Sequence, residues 1–356
     1  MQKISTEKKL QLDLLQFKAK GHDQFIDFLK GFAIVGVVLL HNLGHTAANR
    51  YGFFCLWIGQ AVPLFILVQA INTYRSYLDT DKISFSAYFK VRSMKVISRV
   101  LRPFLLLQVV IALLFFLLLE GDFNSLVKAF IRGAGLGPGS YYPWIYLQIF
   151  ILLPVVIFLF KKIGSVKTFI VMGGCQIALE FLCSYLSLTE DAYRVFAVRY
   201  VFLTICGIYV MEKGFRLNKK WVILSLVGVF FILLDSFTSI SFFPLAYKSL
   251  GFPGQHWIAY FYTSILLIYV FKIIHIRLSS NMFSRMIEFF GKESYNIFLI
   301  QMLVFWIMRT NGWVSYNTSL KTICFVLVST FLSLFFSFVK FCIAEKKNKM
   351  EKCSRV

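Results

Sequence analysis

The chain has 356 residues, of which 58% are hydrophobic and only 15% are charged, and its formal net charge is +21. This composition excludes a soluble globular domain, because so few charged side chains cannot cover so much apolar surface. The 7 cysteines are an odd number without a C-x-x-C spacing, so neither structural disulfides nor zinc sites are expected.

Apolar stretches of about twenty residues recur from one end of the chain to the other, which is the length a helix needs to cross a ~30 Å hydrocarbon core. The sequence therefore predicts an all-α fold, a polytopic membrane helical bundle with about ten transmembrane helices. The predicted spans cover residues 25–48, 51–75, 103–119, 141–160, 166–188, 193–212, 220–238, 256–274, 287–308 and 318–340.

Lysine and arginine concentrate in alternate loops and at both ends of the chain, above all in the connection 75–102 and in the basic tail. By the positive-inside rule this pattern predicts that both termini are cytoplasmic. The excess positive charge is thus a topology signal, and nucleic acid is not an expected partner. We expect a cytoplasmic segment 1–24, one membrane domain 25–344 and a cytoplasmic tail 345–356.

The first predicted helix carries four titratable side chains, Asp27, Lys30, His41 and His45. Lys30 and His41 are eleven residues apart, so at 100° per residue they share one helix face about 16 Å apart. Asp27 and His45 lie about 40° to either side of His41. Because ionisable residues inside a membrane are costly and commonly functional, this stripe predicts a functional His41, although a hydrogen-bonded buried histidine is the alternative.

His45, one turn nearer the outer surface, could be an interfacial residue, a proton partner or a contact to an acceptor. Spacing alone would also allow His41 and His45 to share a metal ion. No glutamate follows in the H-E-x-x-H pattern and no third ligand is visible, so no metal is expected.

A second basic cluster lies at the start of the third predicted helix, at positions i, i+3, i+7 and i+10 of one face. It can anchor the helix at a surface of anionic lipid, or it can clamp phosphate groups, since arginine presents a fork that matches phosphate oxygens. Pro103 suggests that a helix restarts here after an interfacial segment. The cluster consists of Arg92, Lys95, Arg99 and Arg102.

These two features together fit a ligand with a phosphate-rich head and a slim arm that reaches into the membrane towards His41. Coenzyme A has this shape, with its acyl thioester at the end of the pantetheine arm.

Two predicted outer segments, 133–148 and 242–257, combine glycine and proline with aromatic residues. They can form an interfacial aromatic belt, or a platform on which a sugar or a lipid-linked acceptor stacks. The candidate acceptor contacts are Tyr141, Tyr142, Trp144 and Trp257. Deeper in other spans, Glu180, Arg199 and Asp235 are expected to be paired for structural reasons, with Glu180 and Arg199 as partners of each other.

Several motifs resemble those of one known family. The first helix has a basic residue, ten further residues and a histidine in "IDFLKGFAIVGVVLLH", and the second helix contains "AVPLFILVQAI". An R-x-x-R pair is present as Arg99 and Arg102, followed by the aromatic "YYPWIYLQ" and the late "ESYNIFLIQ". With these motifs the chain resembles the acyltransferase-3 family of integral membrane acyltransferases, from about residue 25 to residue 340.

The chain departs from the family pattern at two positions. Lys30 stands where the family usually has arginine, which keeps the charge but loses the bidentate fork. Gln301 stands where the late motif usually has histidine. A glutamine side chain cannot transfer a proton, but it can still form hydrogen bonds, and we expect Gln301 to form them with the substrate.

The resemblance implies a membrane O-acyltransferase that moves an acyl group, with acetyl expected, from cytosolic acyl-CoA to a hydroxyl of a cell-surface polysaccharide or a lipid-linked glycan. It implies that Arg99 and Arg102 bind the phosphates with help from Arg92 and Lys95, and that acyl-CoA is the co-substrate. Lys30 would bind the donor or orient the site, with Asp27 as its counter-ion. His41 would be the general base, or would carry the acyl group in a covalent relay.

Two alternatives use the same residues differently. A transporter or flippase for a glycan or a lipid would use the polar stripe as its path, although no inverted repeat is visible. A non-catalytic membrane subunit would tolerate substitution of His41 and Arg99. The expected setting is a bacterial inner or plasma membrane with membrane lipid as a partner, and the oligomeric state is left open, a homodimer included.

Overall fold

A computed structural model of the chain describes residues 23–42, 53–78, 85–119, 122–214, 218–238, 254–279, 281–310 and 319–353. Within these ranges every regular element is a helix, as the sequence predicts. The α-helices are α1 (Gln24–Asn42), α2 (Ala61–Leu78), α3 (Phe85–Val96), α4 (Arg102–Leu119), α5 (Phe123–Gly133), α6 (Tyr142–Ile163), α7 (Ser165–Tyr185), α8 (Glu190–Val195), α9 (Val201–Lys213), α10 (Lys219–Phe237), α11 (Ala259–Phe261), α12 (Ile268–Leu278), α13 (Met282–Lys292), α14 (Ser294–Thr310) and α15 (Ser319–Cys353).

In this part of the chain, 8 helical segments are long and apolar enough to cross a membrane. They are Gln24–His41, Phe54–Leu78, Phe89–Leu117, Tyr142–Ile163, Ser165–Tyr185, Lys219–Phe237, Ala259–Leu278 and Leu327–Lys346. The protein is therefore a polytopic membrane helical bundle.

Two of the predicted spans have no counterpart among these segments. The first, 193–212, contains the short helix α9, and the second, 287–308, is divided at Glu293 between α13 and α14. The number of about ten spans and the cytoplasmic position of the termini stay predictions.

Helix α1 lies in the core of the bundle and packs closely against α13. Phe28, Leu29 and Val38 are fully buried. Gly31 faces α13 so closely that a Cβ atom on it would lie 2.0 Å from the backbone oxygen of Ile287. Only a residue without a side chain permits this approach, so the glycine allows the two helix backbones to touch.

Helices α1 and α14 run parallel to each other. At one end, α14 begins directly after the segment of α13 that contacts α1. At the other end, the His41 ring lies 6.0 Å from the Phe305 ring, and Arg309 Nη2 lies 3.5 Å from the backbone oxygen of His41. The two helices therefore form a wall along the same depth of the bundle.

Residues 85–119 form one continuous helical segment, so the expectation that a helix restarts at Pro103 is wrong. Helix α3 passes into α4 through a π-helical stretch, Ile97–Leu101. In an α-helix the ring of Pro103 would clash with the carbonyl of Arg99, and proline cannot donate the usual hydrogen bond. The wider π turn accommodates the proline without breaking the helix.

Candidate active site

One cavity of about 770 Å³ lies between α1, α2, α3, α6 and α14. This volume lies within the range of sites that bind small molecules. Several of the residues selected from the sequence line it together, although they come from three separate segments of the chain. These residues are Lys30, His41, Arg92, Lys95, Arg99, Tyr141 and Tyr142.

One end of the cavity is strongly basic. Lys30 Nζ lies 2.7 Å from Asp27 Oδ1, and the Asp27 side chain is nearly fully buried behind it. Arg92 is oriented by a hydrogen bond from Nη2 to the backbone oxygen of Asn72, at 3.1 Å. With Arg99 and Lys95 on the same wall, the positive charges outnumber the Asp27 carboxylate, so this end attracts anions.

Lys292 adds a further positive charge that the sequence analysis did not select. It is the last residue of α13, and it lines the cavity together with Ser294 and Tyr295 of α14. In the sequence Lys292 is one basic residue among many at the end of an apolar stretch. Only the close packing of Gly31 on α13 brings it beside Lys30, so no local signal would have identified it.

Helix α2 contributes polar groups to the middle of the cavity. Gln69, Asn72 and Thr73 line it. The Gln69 amide donates from Nε2 to the backbone oxygen of Tyr146 at 2.9 Å, and its Oε1 has no hydrogen-bond partner among the described residues. This buried oxygen is an acceptor available to a ligand. Gln69 lies within the stretch AVPLFILVQAI that carries the family resemblance, whereas Asn72 and Thr73 follow it, and no sequence pattern predicted a site role for any of the three.

His41 lies at the other end of the cavity, in contact with a glycine-rich loop. A Cβ atom on Gly139 would lie 3.7 Å from His41 Nε2 and 3.0 Å from Cε2 of Phe298. The imidazole, the loop backbone and the Phe298 ring therefore enclose this end. Since Lys30 and His41 are eleven residues apart on α1, the cavity extends about 16 Å between its basic end and the imidazole.

The loop that follows α5 folds into the bundle instead of lying on its surface. Ala134, Gly135, Gly137 and Gly139 all have positive φ angles, which lets the chain turn tightly. Gln108 of α4 holds the loop by both atoms of its amide, donating to the Leu136 backbone oxygen at 3.0 Å and accepting from its N–H at 2.7 Å.

An aromatic wall runs along the cavity from its basic end to His41. The Phe298 ring lies between Tyr295, stacked at 5.9 Å, and Tyr142, edge-on at 5.5 Å. Tyr295 also donates from its hydroxyl to the backbone oxygen of Val100, at 2.6 Å. Behind the wall, the fully buried Arg199 guanidinium lies 5.7 Å from the Tyr141 ring. These contacts fix the rings in place.

The other predicted site residues that the structure describes do not line this cavity. Arg102 is exposed, as Arg99 is, but it follows the π turn and is rotated away from the face on which Arg99 lines the cavity. Trp144 donates from Nε1 to the Ala134 backbone oxygen at 2.8 Å. Trp257 packs against Phe202, with the ring centroids 6.2 Å apart. Gln301 is fully buried. His45 lies outside the described residues.

The other charged residues in apolar segments have partners. Asp235 Oδ2 lies 3.3 Å from Nε2 of His256, which confirms that Asp235 is paired. Glu180 accepts hydrogen bonds from the Tyr193 hydroxyl at 2.7 and 2.8 Å, and the Tyr193 ring lies 5.8 Å from the Arg199 guanidinium. Tyr193 therefore lies between the two residues expected to be partners. Across the described ranges, no group of three or more His, Cys, Asp or Glu side chains could hold a metal ion.

The arrangement places basic groups at one end of a long cavity and an imidazole at the other, so it can accommodate an anionic ligand with a long arm. Comparison with protein families finds that the Acyltransferase domain model, Acyl_transf_3, matches residues 23–342. The chain belongs to the acyltransferase-3 family. The match covers nearly the whole chain, and this acyltransferase-3 protein is therefore a multi-pass membrane acyltransferase that uses an acyl donor. No curated protein and no solved structure matches the chain.

Proposed function

We propose that this acyltransferase-3 protein transfers an acyl group, acetyl in the first instance, from cytosolic acyl-CoA to a hydroxyl of a cell-surface polysaccharide or a lipid-linked glycan. The observation that carries the proposal is that a single cavity brings Arg92, Lys95, Arg99, Lys30 and His41 together. A basic end and a distant imidazole in one cavity match a donor with a phosphate head and a reactive thioester at the end of its arm. The same geometry and the family favour the enzyme over a transporter.

The basic end would hold the phosphates of the donor. Arginine forks bind phosphate oxygens in pairs, so Arg92 and Arg99 are the principal contacts, with Lys95 and Lys292 adding charge. Lys30, with its charge partly balanced by Asp27, would hold the donor where the basic end passes into the apolar part of the cavity. Arg102 is left out of this set because it does not line the cavity.

The pantetheine arm would lie along α1, past α2, towards His41. Its amide N–H groups need acceptors inside the cavity, and Gln69 Oε1 provides one. The arm is otherwise slim and apolar enough to pass between Ile34, Val68 and the Tyr142 ring, which line the intervening wall.

In the transfer step, Nε2 of His41 would take the proton from the acceptor hydroxyl while the oxygen attacks the thioester carbonyl carbon. The tetrahedral intermediate would then collapse, the carbon–sulfur bond would break, and the CoA thiolate would leave and take the proton back from the imidazolium. The products are an O-acyl ester and CoA–SH. Tyr141 and Tyr142 are the aromatic rings in the cavity that an acceptor sugar could stack upon.

The acceptor would approach from the outer side, and the donor from the cytosol. The basic loops support cytoplasmic termini, and the proposed location is a bacterial inner or plasma membrane. His45, which lies outside the described residues, stays a predicted acceptor contact. Trp144, Trp257 and Gln301 stay predicted contacts as well, and their positions in the structure add no support to that role.

Wild-type protein and His41→Ala, purified in detergent, test the proposal. Each is given acetyl-CoA labelled in the acetyl group and a crude lipid-linked glycan fraction, and label transfer and CoA release are followed. Loss of one general base lowers the rate by about 10²–10⁴-fold, whereas the Kd for CoA changes little because His41 is remote from the basic end. Transfer at the wild-type rate by His41→Ala would contradict the role of His41.

A covalent acyl-histidine relay is separated from direct transfer by omitting the acceptor. Direct transfer leaves the protein unlabelled, while a relay leaves label on His41 in stoichiometric amount and releases CoA in a burst.

A further inference from the structure

At the His41 end of the cavity, Gly139 is in direct contact with Phe298. A Cβ atom on Gly139 would lie 3.0 Å from Cε2 and 3.4 Å from Cζ of Phe298, so no methyl group fits between the loop and the ring. Both residues line the cavity, and His41 Nε2 is 3.7 Å from the same Cβ position. On this side, the space beside the imidazole is therefore bounded by this contact.

The contact is held from both sides. Gly139 has a φ of 89°, and the loop that contains it is fixed by the Gln108 amide, so the loop cannot move aside easily. The Phe298 side chain is buried and is packed between the rings of Tyr142 and Tyr295. Packed interiors resist the displacement of one ring, because neighbouring rings must move with it.

We infer that Phe298, backed by Gly139, is the residue that limits the acyl group to a short chain; this inference rests on the proposed function. With the thioester carbon at His41 Nε2, the acyl chain must occupy the space that Phe298 bounds. An acetyl methyl group is small enough for that space, whereas each further methylene has to displace the ring or the loop. Specificity at this site is thus steric and lies in the size of one side chain.

The test replaces Phe298 with alanine and with leucine and measures transfer from acetyl-, butyryl- and hexanoyl-CoA. We expect wild-type protein to prefer acetyl-CoA, and we expect the ratio of hexanoyl to acetyl transfer to rise about tenfold or more in Phe298→Ala. Phe298→Leu removes less volume and should give an intermediate ratio. It also keeps the test decisive if the alanine variant does not fold.

Phe289→Ala is the matched control. Phe289 is a partly buried ring on α13 that packs against Phe341 at 5.8 Å, and it does not line the cavity. Its removal should lower stability without changing the ratio between the donors.

The outcomes separate the inference from the proposed function. If wild-type protein transfers acetyl and both folded Phe298 variants keep the wild-type ratio, Phe298 does not set the chain length and the inference is overturned, while the proposed function stands. If folded wild-type protein transfers no acyl group from any of the three donors, the proposed function itself is overturned. An equal change of ratio in Phe289→Ala would also overturn the inference.

Discussion

Gly291 of α13 lies directly against the backbone of Asp27 in α1, so closely that a Cβ atom on Gly291 would lie 1.7 Å from the Asp27 carbonyl oxygen. The same Cβ would lie 2.9 Å from the backbone nitrogen of Gly31. The two glycines thus form one contact between helices far apart in the sequence. This contact places Lys292, the next residue, at the cavity that also contains Lys30.

Replacement of Gly291 with alanine should therefore force α13 away from α1. Overpacking a buried contact costs about 1–3 kcal/mol, and more when the neighbour is backbone that cannot rotate away. We expect a lower midpoint of thermal unfolding in detergent and weaker CoA binding, because Lys292 moves with the helix. Gly174→Ala is the control, since a Cβ atom on Gly174 meets nothing within 4 Å. Equal tolerance of both substitutions would show that the two helices do not pack as described.

Arg99 and Arg102 should differ in their contribution to donor binding, although they form one R-x-x-R motif. Arg99 lines the cavity and Arg102 does not. A charge-assisted hydrogen bond contributes about 1.5–3 kcal/mol, so Arg99→Ala should raise the Kd for CoA by about 10- to 150-fold. Arg102→Ala should change it by less than about threefold. Titration calorimetry with CoA measures the Kd of both variants. An equal loss of affinity in Arg99→Ala and Arg102→Ala would place Arg102 in the binding site.

Gln108 and Gln148 each use the side-chain amide to bind one backbone oxygen and one backbone N–H, but only Gln108 does so in the loop beside His41. Gln148 donates to the Val195 backbone oxygen at 2.8 Å and accepts from the Ala197 N–H at 3.0 Å, away from the cavity. Gln108→Leu and Gln148→Leu each leave two backbone groups without their partner, at about 1–3 kcal/mol per buried group. We expect both variants to unfold at lower temperature.

Only Gln108→Leu should lower the rate of acyl transfer, because only Gln108 holds the loop beside His41. The measurement compares transfer rates at a temperature where both variants are fully folded. A similar loss of rate in the two variants would mean that the loop position does not matter for transfer.

Asp122 caps helix α5, and its titration gives a local pH dependence. Hydrogen bonds from the Ser125 hydroxyl at 2.6 Å and from the Ser125 N–H at 2.9 Å hold the pKa of the carboxyl below its usual value of 3.8. A lowered pKa in the folded state means that the cap is fully stabilising above pH 3.8 and is lost as the pH falls through the lower folded value.

When the pH is lowered below 3.8, the protection factors of the α5 amides in hydrogen exchange should therefore decrease. Asp122→Asn keeps a good capping residue without a titrating group, so its protection should stay level over the same interval. The same decrease in Asp122→Asn would assign the pH dependence to another group.

The sequence alone determined the class of the protein and two residues of its candidate site, Lys30 and His41. Length and hydropathy of the spans are local properties, so a membrane helical bundle could be predicted without any knowledge of packing. The shared face of Lys30 and His41 follows from the period of one helix, and the structure brings both to one cavity. The motifs in the first and third helices were sufficient to indicate the family, which the family match confirms.

The tertiary structure alone decided which other residues join that site. Lys292 reaches the cavity through a glycine contact between helices more than 250 residues apart in the sequence, and Gly139 and Phe298 meet at His41 only because a loop folds into the bundle. Arg102 leaves the predicted basic face because Pro103 induces a π turn, which changes the helical period assumed for that stretch. Periodicity describes one helix at a time, whereas these placements depend on how separate segments pack against each other.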